Sequence, residues 1–306
     1  MISFWEKRGL LLLPQKKLWW QQSHIMIPTV EKIRGDIHRV YFSGRDKNNI
    51  SVIGSADVEV KNGFIKTIGY REDPVLIRGS LGTFDDNGVT PSCIIENEEQ
   101  TNLYYIGWNA GSTTRMGLIA GLAISHDNGR TFQRYSEAPL LERTSQEPYS
   151  ILTAPYVLKD GDLWRLYYVS CEGWINKDLP TYNIKYAESI DGIIWEREAH
   201  VCIDFKSDSE TALARPCVLK EDGLFKMWFS YKDPRIGYRI GYAESTDGKK
   251  WERKDDNGNC LDVSKDGWDS EMVEYSFVFN HDGIKYMLYN GNGYGIDGAG
   301  YAIQNK

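Results

Sequence analysis

Seven ionisable side chains lie in short segments that lead into apolar strands. They are His24 in QQSHIMIP, Asp85 and Asp86 in FDDNGVTP, Glu210 and Arg215 in ETALARP, and Glu271 and Glu274 in SEMVEYS. Carboxylates converging on one cavity raise one another's pKa, which is the condition a general acid needs near neutral pH. Asp86 and Asp85 are the candidates for the acid, and Glu274 and Glu271 for a carboxylate that activates water from the opposite side. Asp86 is preferred to Asp85, because adjacent residues on an extended strand point to opposite faces and one of them faces the cavity. Glu274 stands out because it falls within an apolar strand.

Candidate ligand-binding residues surround these acids. His24, Glu210 and Arg215 come from the lead-in segments, together with Tyr149 and Tyr275. Long loops that differ from one another, SGRDKNN, GWNAGSTTRMG, SCEGWINKDLPTYN, SYKDPRIGYR and YNGNGYGIDGAG, add Arg45, Trp108, Trp174 and Asn292. Recognition is usually placed on such loops over a rigid scaffold. Aromatic rings gathered at one mouth suit a ligand with flat apolar faces, such as a sugar.

Internal repeats position these residues. Three segments align: TPSCIIENEEQTNLYYIGW with GLAISHDNGRTFQRY, APYVLKDGDLWRLYYVS with KYAESIDGIIWERE, and RPCVLKEDGLFKMWFSY with GYAESTDGKKWERK. Each reads as an apolar strand, a tight turn such as ENEE, KDGD or KEDG, an aromatic strand, a variable loop, a third strand, an S-x-D-G turn and a last strand that begins at Trp or Phe. A partial copy starts at Pro28, and another starts near Ser276 and stops after its third strand at Tyr301 to Ile303. Its missing strand should begin Trp-Glu-basic, and the unused copy of that pattern is WEKR at 5–8. The reading is an all-β, five-bladed β-propeller of four-stranded antiparallel blades, one domain over 1–306, with the N-terminal strand closing the last blade.

Composition narrows the partners. The 36 basic and 43 acidic residues leave a formal charge of −7, without the basic footprint of a nucleic-acid binder. Five cysteines, an odd number without metal-ligand spacing, point to neither a disulfide framework nor a metal site, and no cofactor is expected. The apolar run at 10–13 ends at Pro14 and is too short for a signal peptide, and no stretch is long enough to span a membrane. The expectation is a soluble cytoplasmic protein whose partner is a carbohydrate.

The repeated prolines, the YFSG ending of the second strand and the YAESxDGxxWER units resemble the five-bladed propeller superfamily of carbohydrate-active enzymes. That superfamily includes glycoside hydrolase families 32, 43, 62 and 68 and the family 130 mannoside phosphorylases. The resemblance implies a glycoside hydrolase acting on a glycan at the central cavity, or a phosphorolytic or transferase variant in which Arg45 of FSGRD and Arg215 hold phosphate or a donor group. A second resemblance is to sialidases, through SHDNGRTF at 125–132. The chain departs from the family 43 pattern: Ile27 and Thr90 stand directly before Pro28 and Pro91, where that pattern has acids, and Thr153 stands near its third acid. A non-catalytic sugar-binding propeller, or an accessory protein of cytoplasmic polysaccharide assembly, is therefore the alternative.

Overall fold

The computed structural model describes residues 4–96 and 100–304, so most of the ENEE turn at 96–99 lies outside the described residues. Apart from a helical turn at Asn292–Gly295, the regular structure is β. After an N-terminal strand, β1 (Glu6–Leu12), a meander is formed by β2 (Ser23–Arg34), β3 (Ile37–Arg45), β4 (Ser51–Lys61) and β5 (Phe64–Tyr70). The pattern repeats in β6 (Val89–Glu96), β7 (Thr101–Ala110), β8 (Met116–Ser125) and β9 (Gln133–Arg134). It recurs in β10 (Ile151–Asp160), β11 (Leu163–Asn176), β12 (Leu179–Ser189) and β13 (Glu196–Ile203), then in β14 (Ala212–Glu221), β15 (Leu224–Asp233), β16 (Gly237–Ser245) and β17 (Glu252–Arg253). The last sheet contains β18 (Glu274–His281), β19 (Ile284–Asn290) and β20 (Ala299–Gln304), and β1 pairs with β20, Glu6 opposite Ile303. The two ends of the chain therefore share one sheet.

Strand burial follows position in the meander. Second strands such as β3 and β7 are buried almost throughout, which explains their runs of aromatic and branched residues, whereas the outer β13 alternates exposed and covered positions. Adjacent meanders are stitched in two ways. Short parallel bridges join Ser51 to Gly88, Leu118 to Ile151, and Tyr182 to Ala212. Second-strand tyrosines also reach the S-x-D-G turn of the next meander: Tyr41 donates to Gly129 O (3.0 Å), Tyr104 to Gly192 O (2.9 Å) and Tyr167 to Gly248 O (3.0 Å). These glycines have φ of 69°, 74° and 75°, a left-handed conformation that favours glycine.

The last sheet meets the first by equivalent means. Asn290 accepts from Ile27 N (2.9 Å) and donates to Ile25 O (2.6 Å), and Gly63 N donates to the Tyr286 hydroxyl (3.0 Å). The sheets thus follow one another in a closed circuit. No helix among the described residues is long and apolar enough to cross a membrane.

Trp5 anchors the seam strand. It is buried, donates from Nε1 to Asn259 O (2.6 Å) and meets Trp228 edge to face with ring centroids 6.2 Å apart. Trp5→Ala should cost about 3–5 kcal/mol in chemical denaturation. A near-zero change would remove the N-terminal strand from the structural framework.

Candidate functional site

The site is built on a buried ion pair repeated from sheet to sheet. The buried carboxylates Asp85, Glu147, Glu210 and Asp269 stand six, eight, six and seven residues before Pro91, Pro155, Pro216 and Ser276. Each is met by a cation from the outermost strand of its own sheet: Asp85 by Arg134 (2.7 Å), Glu147 by Arg197 (3.0 Å), Glu210 by Arg253 (2.7 Å) and Asp269 by Lys7 (2.7 Å). In three sheets a second-strand tyrosine also donates to the acid: Tyr105 to Asp85 (2.9 Å), Tyr168 to Glu147 (3.0 Å) and Tyr289 to Asp269 (2.9 Å). Phe229 replaces that tyrosine in the fourth sheet, and the Arg253 guanidinium lies over its ring, 5.1 Å from the centroid. The recurring Trp-Glu-basic sequence is thus the outer half of an internal clasp.

In four of the sheets the first strand bends close to its lead-in. Pairing slips between Met26 and Thr29, Thr153 and Tyr156, Ala214 and Cys217, and Glu274 and Phe277. At each slip a non-glycine residue is left-handed: Ile27 (φ 52°), Ala154 (46°), Arg215 (53°) and Tyr275 (54°). Such residues cost about 1–3 kcal/mol each and persist where surrounding structure over-determines them, often at functional sites. All four line one cavity of about 230 Å³.

The floor of this cavity is the Arg215 guanidinium. It is buried and donates to Ser92 O, Pro28 O (3.2 Å) and Thr29 Oγ1 (2.8 Å), tying the first strands of three sheets together. Burial pushes its pKa down. One wall is phenolic: the Tyr182 and Tyr238 hydroxyls lie 2.8 Å apart, and the Tyr238 ring is 6.0 Å from Tyr275 and 6.3 Å from Tyr294. Thr153 and Thr211 belong to the lining, and their hydroxyls are buried without a hydrogen-bond partner among the described residues. Trp108, Arg45 and Arg115 separate this space from an adjoining arm of about 190 Å³ that carries Asn49, Asn87 and Asn109. Arg115 N donates to Lys177 O (2.8 Å), joining the β7–β8 loop to the β11–β12 turn that supplies Asp178.

Of the residues singled out in the sequence, Arg45, Trp108, Arg215 and Tyr275 line the cavity. The expected acids do not. Asp85 and Asp86 lie in a turn rather than on a strand, so the alternation of faces does not apply to them. Asp85 is neutralised by Arg134 and Asp86 accepts from Gly82 N and Asn109 Nδ2 (both 2.9 Å). Glu210 is likewise committed to Arg253, and Glu271 is exposed. Glu274 is fully buried, and neither carboxyl oxygen has a hydrogen-bond partner among the described residues. Burial raises its pKa well above the usual carboxylate range, against the pull of Lys232.

The remaining candidates hold the surroundings. His24 is held neutral, its pKa lowered to about 4 by burial and by the charge of Arg45. Trp174 packs against the apolar cluster behind the cavity wall, and Tyr149 is partly exposed. Asn292 accepts from Glu271 N (2.8 Å) and Met272 N (3.2 Å) and so ties down the last lead-in segment. Sequence reasoning missed Lys232 and Tyr238 as site residues, although both lie within the named segment SYKDPRIGYR. Away from the cavity lining, Asp36, His281 and Asp282 place metal-type ligand atoms within 4.8 Å of one another; no such group lies in the lining among the described residues.

No family model matches the chain. Two proteins of Mycobacterium tuberculosis, the uncharacterized proteins MT1551 and Rv1502, are each 40% identical to it over 302 residues, covering 98% of both chains. The chain belongs to their family. Among solved structures it is similar to one described as a glycoside hydrolase (TM-score 0.74, 19% identity, 98% of this chain and 91% of that one). It is also similar to a thermostable family-43 glycoside hydrolase (TM-score 0.66, 18% identity, 92% and 88%) and to an endo-arabinase from Bacteroides thetaiotaomicron (TM-score 0.63, 15% identity, 98% and 98%). This family therefore shares the β-propeller fold of glycoside hydrolases of family 43, family 32 and arabinanase type.

Two measurements check these assignments. Asp85→Asn should lower unfolding stability by about 1–3 kcal/mol, because it removes the charged acceptor that Arg134 and the buried Tyr105 hydroxyl share. A neutral result would release Asp85 from its architectural role. For Glu274 the native state holds a proton that the unfolded chain releases, so stability present below about pH 4.5 falls as pH rises toward the raised native pKa. Glu274→Gln cannot ionise and should flatten that decline in melting temperature; identical pH profiles would contradict a protonated Glu274.

Proposed function

We propose that this protein is a single-domain, five-bladed propeller over residues 1–306 that binds carbohydrate in its axial cavity. The observation that carries the reading is the cavity wall: the rings of Trp108, Tyr275 and Tyr294 beside the donors of Arg45 and Arg115, at the point where the first strands converge. Sugars present both an apolar face and a ring of hydroxyls, and this wall offers partners for each. The fold shared with glycoside hydrolases supports the same ligand class. Arg45, Trp108 and Tyr275 are the proposed ligand contacts, with Arg215 as the fixed floor. Cys93, Cys171, Cys202 and Cys217 are buried free thiols, which is in keeping with a reducing compartment.

Binding is preferred to hydrolysis because Asp178 is the one carboxylate among the described lining residues. Ile27 and Thr153, which stand at or near the acids of the family 43 pattern, line the cavity and supply no titratable carboxyl group. Hydrolysis is the second reading, favoured by one observation: burial beside Tyr275 raises the pKa of Glu274 well above the usual carboxylate range. In that reading Glu274 is the acid and Asp178 is the group that activates water.

Trp108 is only half buried and faces both the cavity and its side arm, so Trp108→Ala should weaken binding of an oligosaccharide identified by glycan-array screening while leaving the melting temperature nearly unchanged. Unfolding of the variant, or unaltered sugar binding, would contradict the proposed contact. Turnover of nitrophenyl glycosides that disappears in Glu274→Gln would instead favour the hydrolytic reading.

A further inference from the structure

The charge around the cavity is one-sided. Arg45, Arg115, Lys232 and Arg215 all line it, and none forms an ion pair among the described residues. The side arm adds three asparagines and no carboxylate. Asp178 alone opposes these cations from the lining, on an exposed turn. This is unusual in a chain with a formal charge of −7, where carboxylates outnumber cations. Elsewhere in the molecule partly covered guanidinium groups are paired with acids, as Arg134, Arg197 and Arg253 are. Arg45 donates to the neutral amide of Asn49 (3.0 Å). Its pKa is depressed by burial, and the charge of Arg115 adds to that depression.

Like charges held together at the edge of a partly desolvated space are unfavourable unless an anion offsets them. Arginine also offers a planar fork of donors that fits a carboxylate or phosphate in two-point fashion. We infer that the ligand of this cavity is an anionic sugar, whose carboxylate or phosphate group lies between Arg45 and Arg115 while its ring contacts Trp108 and the tyrosine wall. The buried charge of Arg215 adds favourable potential from the floor, although its own Nη donors are occupied by Ser92, Pro28 and Thr29. Lys232, 5.4 Å from the centroid of the Tyr238 ring, contributes from the opposite wall. This inference rests on the carbohydrate reading above and adds the charge of the ligand.

The test is calorimetric titration of the full-length protein with matched probes: galacturonate and glucuronate, glucose 6-phosphate and mannose 6-phosphate, their neutral parent sugars, and inorganic phosphate. The anionic sugars should bind more tightly than their parents, and Arg115→Ala and Arg45→Ala should each weaken them by roughly 10- to 100-fold. The neutral parents should be affected far less by either substitution. The uronate and phosphate arms identify which anion is accepted. Equal binding of charged and neutral sugars, or anionic binding that survives both substitutions, overturns the charge inference and leaves the carbohydrate reading standing. Binding of inorganic phosphate alone, or of nothing in the panel, overturns both. Circular dichroism of each variant excludes unfolding as the cause of lost binding.

Discussion

The structure depends on a buried carboxylate clasped by a cation from the edge of the same sheet. A carboxylate without water is costly, and removing its partner typically destabilises a protein by about 3–5 kcal/mol. The lead-in segment and the outer strand are therefore obliged to meet. That obligation explains how strands as short as β9 and β17, two residues each, retain their places, since Arg134 and Arg253 are held by Asp85 and Glu210 as well as by backbone pairing. The first sheet lacks the arrangement. Gln21 stands seven residues before Pro28, Phe42 takes the tyrosine position, and Gln21 Nε2 has no partner among the described residues.

Fixing the lead-ins has a consequence at the axis. In the sheets that begin with β10, β14 and β18, the clasp holds the chain on one side of the first strand and sheet pairing holds it on the other, so the intervening bend is absorbed locally. Ala154, Arg215 and Tyr275 absorb it in a left-handed conformation that bulky residues ordinarily avoid; Ile27 adopts the same conformation in the first sheet without a clasp, and β6 has a clasp without a left-handed residue. A bulge of this kind re-aims a side chain that regular alternation would direct elsewhere. Arg215 is turned across the axis to the first strands of other sheets, and Tyr275 is turned into the cavity. In those three sheets the strain that shapes the site is thus held in place by ion pairs outside it.

The architecture was largely legible in the sequence, since repeated prolines, turn chemistry and Trp-Glu-basic units are local signals. The WEKR segment could be assigned to the last sheet because its copies at 195–198 and 251–254 open the outer strands of other units. The roles of the acids were not legible. Asp85 and Glu210 lie close in sequence to cavity residues, but their partners Arg134 and Arg253 lie 49 and 43 residues downstream, and nothing local reveals which way a carboxylate turns. The alternation rule that favoured Asp86 requires an extended strand, and the segment is a turn. Glu274 was recognisable as anomalous because an acid inside an apolar strand must be paired or neutral.

The same pairing explains the chemistry of the cavity. Carboxylates of the lead-in segments are consumed by the clasps, so the acids nearest the axis in sequence are withdrawn from it in space. The cations of the lining have no such obligation: Arg45 ends β3 and Arg115 lies in the β7–β8 loop, where no clasp reaches. A fold whose stability draws its acids outward leaves a mouth with excess positive charge, even in an acidic chain. Fields of this kind are felt most strongly where low-dielectric walls exclude water, and the aromatic and aliphatic lining provides such walls. The uneven charge at the site is therefore a result of how the repeats are held together, and recognition can make use of it without any change to the framework.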